Sequence, residues 1–476
     1  MDLMAAFRRA LLGLILLSPG ILPAADAGSL EGAWMGTLEA GALKLRLALH
    51  IQPSPDGALS ATLDSIDQGA MGIPVTRITR KDQTISFEIK RIQAAFEGTL
   101  NADSSRIEGS FHQAGVDLPL VFHHTDKAPE LIRPQNPRRP YPYAEEEVSY
   151  ENKAAGVRIA GTLTLPRSSG PHPAVLLITG SGPQDRNETI AGHQPFLVLA
   201  DHLTRRGIAV LRADDRGVGR STGRFDTATM QDFAADARAG VEYLRTRSEI
   251  DSRRIGVLGH SEGAEIAPLL ASQDPAIAFV VMLAGPGVTG EKILYEQSYL
   301  INKAMGMPEE MARKLGTVDE VIFDVVKREP DDAVARKKIQ AAVEGLRSSF
   351  PRSEQQAFNR ILDQIGQKAR FATSPWFRFF LTYDPAAALR KVQAPVLAVS
   401  GELDLQVPPA ENLPAIAAAL KAGGNKDYTI VKLPSLNHLL QTARTGSPLE
   451  YTGIDETIAP SALEKISQWI VAHTAK

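Results

Sequence analysis

The chain has 476 residues, with 52 basic and 55 acidic side chains and a formal net charge of −3. That balance, with no long basic run, argues against a nucleic acid as the main partner, while a hydrophobic fraction of 43% is enough for a large core. The absence of cysteine excludes disulfides, thiolate metal sites, a cysteine nucleophile and a lipid anchor on cysteine; the length predicts two domains.

At the N-terminus, Arg8 and Arg9 precede the apolar run ALLGLILLSPGILPAA, followed by Asp26 and Ala27. This order of basic, apolar and small-x-small residues predicts a signal peptide over residues 1–27, cleaved after Ala27 or alternatively after Ala25. An uncleaved membrane anchor is the competing reading. Against it, Ser18, Pro19 and Gly20 interrupt the run, and a span needs about 20 apolar residues. No other segment of the sequence is long and apolar enough to cross a bilayer. The expectation is an exported, periplasmic protein with no membrane span after processing.

Residues 28–126 carry strand patterns. LKLRLALHI alternates strictly, with Leu43, Leu45, Leu47, Leu49 and Ile51 on one face, and TISFEIK repeats the period through Ile85, Phe87 and Ile89. Turn signals such as SPDG and NADSS separate the runs. Many short alternating strands predict a small all-β sandwich or barrel. Trp34 and the segment DSIDQGAMGIPV are readable as a ligand cavity, but a core tryptophan and a structured loop is the simpler reading. The stretch over 127–147 is rich in proline and charge and has no period, and predicts a semi-rigid linker.

From Val148 onward, buried strands alternate with helices: AVLLITGSG, then the helix FLVLADHLTRRG, then IAVLRADDRG, TMQDFAADARAGVEYLRTR and IGVLGHS. This pattern predicts an α/β domain over 148–476, its mostly parallel sheet covered by helices on both faces. Over about 289–383 the alternation stops and helical periods take over, with Leu315, Val318, Ile322 and Val325 on one face. An insertion this long is usually functional, and a helical cap over a site is the expectation. Strands resume at APVLAVSGELD and DYTIVKLPS before a terminal helix.

The stretch Gly259-His260-Ser261-Glu262-Gly263 falls where the strand IGVL meets an apolar helix. Gly-x-Ser-x-Gly at such a junction is a nucleophile elbow, a turn so tight that Ser261 Oγ stands above the sheet. A serine nucleophile needs a base, and the base needs an orienting acid. In this architecture both follow late strands, acid first. Asp404 lies just beyond VLAVSG, and His438 just beyond IVKLPS; Glu402 is the rival acid. His260 is expected to point away from Ser261, and His172, His193 and His202 read as surface or loop residues. No His pair at helix spacing or other dense ligand cluster suggests a metal.

One oxyanion donor is expected from the backbone N–H of Glu262, at the start of the helix. The second should come from the loop Gly180-Ser181-Gly182-Pro183-Gln184-Asp185-Arg186-Asn187. Pro183 has no N–H, so the choice falls on Ser181 or Gly182, with Ser181 first. Gln184, Asp185 and Arg186 are candidates for substrate contact or for a stiffening ion-pair network with Asp215 and Arg216. The glycines of DDRGVGRSTG lack dinucleotide-loop spacing and read as a structural turn beside the site. Trp376 and Phe380 in SPWFRFFLTY are candidates for lining an acyl pocket, with cap core as the competing role.

Taken together, LLITGSGPQDRNE, DDRGVGRSTG, GHSEG, SPWFRFFLTYDP, GELDLQVP and LNHLLQ resemble a bacterial branch of the α/β-hydrolase superfamily: two-domain, EstD-like carboxylesterases with a β-rich N-terminal domain. The resemblance covers about residues 148–476 by motif and 29–126 only by general character. It implies Ser261 as nucleophile, Asp404 as acid and His438 as base, and hydrolysis of a small-molecule ester, often of short acyl chain, without a cofactor. The His-Gly-Gly-Gly oxyanion motif of some esterases is absent. A peptidase or amidase with the same triad, and a lipid- or glycan-binding protein on a hydrolase scaffold, are the rivals. Oligomeric state is not readable from the sequence.

Overall fold

The computed structural model describes residues 30–40, 43–54, 58–113, 115–126, 131 and 133–475, so the predicted signal peptide lies outside the described residues. The chain divides into two compact units, the first of residues up to Ala128 except Ser65–Met71, the second of Pro129–Lys476 together with Ser65–Met71. Among the described residues, no helix is long and apolar enough to cross a membrane.

The first unit carries nine strands: β1 (Gly32–Ala40), β2 (Leu43–Pro53), β3 (Leu59–Ser65), β4 (Ala70–Pro74), β5 (Arg77–Lys81), β6 (Thr84–Ile89), β7 (Ala94–Leu100), β8 (Arg106–Gln113) and β9 (Val116–Thr125). They form one sheet in the order β4-β3-β2-β1-β9-β8-β7-β6-β5. The two edge strands are thus neighbours in sequence, joined by Val75 and Thr76 alone. A link that short holds the edges close, so the sheet must curl. Of the two predicted shapes, the single curled sheet is the barrel-like one. The alternation read from the sequence places Leu47, Leu49 and Ile51 in its core with Phe87, Phe96 and Phe122. Trp34 is fully buried there, its indole N–H donating to the Leu30 carbonyl at 3.0 Å, which is the core role rather than a cavity wall.

The second unit is an eight-stranded sheet. Its elements are β10 (Ala144–Asn152), β11 (Val157–Leu165), β12 (His172–Ile178), α1 (Pro195–Thr204), β13 (Ala209–Ala213), α2 (Met230–Arg245), β14 (Ile250–His260), α3 (Gly263–Ala271) and β15 (Val280–Leu283). The cap follows as α4 (Gly290–Ala304), α5 (Glu309–Arg328), α6 (Asp332–Gly345), α7 (Gln355–Ala372) and α8 (Pro375–Thr382). The chain closes with α9 (Ala386–Leu389), β16 (Val396–Gly401), α10 (Pro409–Ala422), β17 (Tyr428–Leu433) and α11 (Pro460–Thr474). Strand order is β10-β11-β13-β12-β14-β15-β16-β17, parallel from β13 to β17 and antiparallel at β10 and β11.

Strand β12 shows why these runs are continuously apolar. Ala174, Leu176 and Ile178 face the core shared with α2, α3 and α10, while Val175 and Leu177 face the core shared with α1 and α11. Both faces are buried, so neither tolerates polar alternation. The cap has its own core around Val318, Ile322, Phe358 and Ile365.

The sheet begins at Ala144, earlier than the sequence pattern at Val148 indicates. Three glutamates disguise this edge strand: Glu145, Glu146 and Glu147 meet Arg212, Arg247 and Arg186 at 3.7, 2.9 and 2.7 Å. Charged residues are usual on an edge strand. The preceding residues are also fastened to this unit, with Arg133 donating to the Ala191 carbonyl at 2.8 Å and Gln135 to the Ile458 carbonyl at 2.7 Å.

Candidate active site

The loops after β12, β14, β16 and β17 share the carboxyl edge of the sheet, beside the switch where β13 and β14 flank β12 on opposite sides. This is the usual binding position in open α/β sheets. Ser261 sits between β14 and α3 with φ of 53°, a left-handed conformation that a non-glycine residue adopts only when its surroundings enforce it. Two glycines make the enforcement possible. A Cβ on Gly259 would fall on the Gly263 carbonyl, and a Cβ on Gly263 would fall on the Ile178 carbonyl. The Ser261 N–H donates to the Leu283 carbonyl at 2.9 Å, tying the turn to the neighbouring strand.

Beyond β16, Asp404 is buried, and Oδ1 accepts the N–H groups of Gln406 and Val407 at 2.9 and 2.8 Å. Its other oxygen, Oδ2, lies 2.9 Å from His438 Nδ1. An ionised carboxylate only accepts, so Nδ1 carries the proton and Nε2 is left as the basic nitrogen. Glu402, the rival acid, is turned outward to the Ser435 N–H at 3.3 Å and Lys432 at 3.9 Å. The His438 loop is organised by Asn437, fully buried, whose Oδ1 accepts from Leu439 and Gln441 at 3.0 and 2.9 Å. Nothing in the sequence distinguishes this asparagine beyond its place beside the histidine. His260 is engaged by other partners than Ser261: its Nδ1 lies 3.0 Å from Glu188 and its Nε2 3.0 Å from the His438 carbonyl. The residue before the elbow serine is thus joined to the histidine loop.

The loop after β12 abuts Ser261, since a Cβ on Gly180 would come within 3.2 Å of the Ser261 Cβ. Gly180 N–H is already committed, donating to Glu188 at 2.7 Å, and Gln184 N–H donates to Asp215 at 2.9 Å. Between them, the N–H groups of Ser181 and Gly182 donate to no acceptor among the described residues, and neither does that of Glu262. These are the three backbone donors proposed from the sequence.

Arg186 takes the stiffening role, but with Asp214 in place of the expected Asp215 and Arg216. It holds Asp214 through Nε at 3.0 Å and Nη2 at 2.8 Å, and reaches Glu147 and Thr162 through Nη1, each at 2.7 Å. Arg216 turns to α2, pairing with Asp236 at 2.7 Å. In the following turn, a Cβ on Gly219 would come within 2.8 Å of Asp214 Cγ, so this glycine cluster makes room for the carboxylate that Arg186 grips.

The two aromatic candidates separate. Trp376 is half-buried and donates its indole N–H to Glu262 Oε1 at 2.7 Å. Phe380 is buried in the core below and stacks on Trp376 at 5.2 Å. Trp376 is the one of the two that is hydrogen-bonded to the elbow. Glu262 is itself buried; burial pushes its carboxyl up to about 7, opposed by the Trp376 hydrogen bond and helped by the charge of Asp215. Burial likewise pushes Asp215 up to about 7. Glu265, one turn along α3, is driven well above the ordinary carboxyl range by burial and by Glu262.

Residues 193–443, more than half of the chain, match the family model described as Hydrolase_4, serine aminopeptidase S33. The chain belongs to the Hydrolase_4 family. As a Hydrolase_4 protein it is a hydrolase of the serine-hydrolase type with an α/β-hydrolase fold. It is 27% identical over 399 residues to Esterase EstD of Thermotoga maritima, covering 80% of this chain and 81% of that protein. An uncharacterized Mycobacterium tuberculosis protein is 38% identical over 127 residues, which are 26% of this chain and 41% of that one. Among solved structures, the Pyrococcus furiosus esterase Pf2001 is 15% identical, with a TM-score of 0.41 over 73% of this Hydrolase_4 chain and 98% of the other.

Proposed function

We propose that the protein is an exported serine esterase that cleaves small carboxylic esters through Ser261, His438 and Asp404. The observation that carries this reading is the 2.9 Å contact of His438 Nδ1 with Asp404, made by a loop that is also bonded to the residue preceding Ser261. His438 Nε2 takes the Ser261 proton as Oγ attacks the ester carbonyl. Asp404 holds the tautomer and stabilises the imidazolium. The N–H of Glu262 and that of Ser181 or Gly182 bind the oxyanion; removing one such donor typically costs a factor of about 100–1,000 in kcat. His438 then protonates the leaving alcohol, and water repeats the cycle on the acyl-enzyme.

Ester rather than amide hydrolysis draws its support from the similarity to Esterase EstD along four-fifths of the chain. The test compares p-nitrophenyl acetate and butyrate with aminoacyl-peptide and β-lactam substrates. Ester turnover, together with stoichiometric fluorophosphonate labelling that Ser261→Ala abolishes, is the expected result. Amide turnover with negligible ester turnover would overturn the substrate class; no labelling of folded protein would overturn the enzyme and favour a binding protein. Export rests on the sequence pattern of residues 1–27, and an intact-mass measurement on periplasmic protein should show a chain beginning at Gly28.

A further inference from the structure

Glu188 lies in the loop after β12, is only 1% exposed, and has a left-handed backbone with φ of 53°. Its Oε1 accepts the Gly180 N–H at 2.7 Å and meets His260 Nδ1 at 3.0 Å. The opposite ring nitrogen, His260 Nε2, meets the His438 carbonyl at 3.0 Å, and the two imidazoles stand 4.8 Å apart. A continuous line of hydrogen bonds therefore runs from the loop beside Ser261 to the backbone of His438, through two buried side chains absent from the mechanism above.

The chemistry of the line fixes its protons. A carbonyl only accepts, so His260 Nε2 carries a hydrogen. The Glu188 contact needs a second one between Nδ1 and Oε1, since a bare nitrogen facing a bare carboxylate would repel. Glu188 and His260 thus act as an ion pair or its proton-transferred equivalent, with no net charge. The wall around Glu188 is apolar, formed by Pro195, Phe196, Leu199 and Leu283, and its Oε2 has no hydrogen-bond partner among the described residues. Burial pushes the His260 imidazole down, but Glu188, the His438 carbonyl and Asp404 outweigh it and the net shift is upward.

We infer that Glu188 and His260 form a positioning dyad that clamps the oxyanion loop, through Gly180, to the peptide of His438. The inference rests on Ser261 being the nucleophile. The two loops it joins supply different halves of the machinery: backbone donors on one side and the general base on the other. Each has to hold its place relative to Ser261, and misplacement by about 1 Å is enough to cost about 100-fold in rate. The dyad couples the two loops without touching substrate. It also gives a reason for histidine at the second position of the Gly-x-Ser-x-Gly turn, where an apolar residue would fill the same space but reach neither partner.

The test is a double-mutant cycle on the full chain with p-nitrophenyl butyrate, using Glu188→Gln, His260→Gln and the pair. Each single variant should lose about tenfold or more in kcat with KM within about threefold, because binding contacts are untouched. The double variant should be no more than about twofold below the worse single, since a broken clamp cannot be broken again. In 15N-histidine spectra of the wild type, one residue should show a protonated Nε2 and an Nδ1 that shares a hydrogen with a carboxyl group, and Glu188→Gln should shift that Nδ1 signal. If Glu188→Gln does not fold, Glu188→Asp, which keeps the charge but shortens the reach, takes its place in the cycle. Folded variants within twofold of wild-type kcat, or losses that multiply in the double variant, would overturn the dyad and leave the esterase reading standing. A wild type that neither hydrolyses ester nor reacts with a fluorophosphonate would overturn the esterase reading, and the dyad with it.

Discussion

Trp376, on the last helix of the cap, donates its indole N–H to Glu262, the residue that follows Ser261. One hydrogen bond therefore joins the cap to the elbow. Its acceptor is a buried carboxyl whose charge burial resists and whose neighbours, Asp215 and Glu265, are also acids. The backbone of Glu262 serves the proposed oxyanion site, so its side chain is free to serve the cap.

The first prediction concerns pH. Burial raises the Glu262 carboxyl from 4.5 to about 7. Between those values the folded state binds more protons than the unfolded state, so stability falls as pH rises through the window and levels off above it. The limiting contribution is about 3 kcal/mol, as an order of magnitude. Glu262→Gln keeps an amide oxygen for Trp376 and removes the charge. In thermal unfolding it should match the wild type near pH 4.5 and exceed it at pH 8, flattening the profile between. A variant less stable than wild type at pH 8 would show that the ionised carboxylate is welcome there.

A second prediction contrasts two glycines. Gly263→Ala would drive a methyl into the Ile178 carbonyl and within 2.6 Å of that of Thr179, both backbone atoms that cannot yield. Gly366, on the exposed face of α7, has nothing within 4 Å of where a Cβ would stand. Gly263→Ala should destabilise by several kcal/mol, within the range reserved for strained or overpacked sites. Gly366→Ala should stabilise by about 0.5–1 kcal/mol, because alanine loses less backbone freedom in a helix. Urea unfolding of both proteins reads the difference.

A third prediction tests the loop network. Arg186 meets Asp214 with two nitrogens and also binds Glu147 and Thr162. Lysine brings a single ammonium and cannot reproduce that planar fork. Arg186→Lys should lower stability by about 1–3 kcal/mol, the cost of leaving buried acceptors under-satisfied. It should also lower kcat more than it raises KM, because the loop that carries Ser181 and Gly182 is loosened. Equal kcat in the variant would mean that the loop keeps its place without the arginine.

The contacts of the site differ in how much of them the sequence discloses. The elbow is legible because its demands are local: a tight turn needs small residues at Gly259 and Gly263, and both lie within five positions. Asp404 and His438 are legible because each follows a strand whose apolar run is unmistakable, so their position at the sheet edge comes with the pattern. Glu188 is different. It meets His260 across 72 residues, sits in an irregular loop, and carries no periodic or spacing signal. The start of β10 is hidden for another reason. Glutamates in a row look like a solvated linker until the arginines that meet them, all distant in sequence, are known. In the first unit the alternation discloses the strands but not the curl of the sheet, which follows from the two-residue link between β4 and β5.

The last prediction uses the fixed orientation of Asp404. Two backbone N–H groups, from Gln406 and Val407, hold Oδ1. An asparagine must therefore place its carbonyl oxygen there and its amide nitrogen where Oδ2 now faces His438. The nitrogen donates and cannot accept, so His438 Nδ1 has to lose its hydrogen and Nε2 has to carry one. The base would then present an N–H to Ser261 in place of a lone pair. Asp404→Asn should keep the fold and substrate binding, with Tm and KM close to wild type, and lose about 10,000-fold in kcat, the effect of the wrong tautomer in triads of this kind. A loss of less than about tenfold on p-nitrophenyl butyrate would mean that His438 is not the proton acceptor, and that a different group activates the serine.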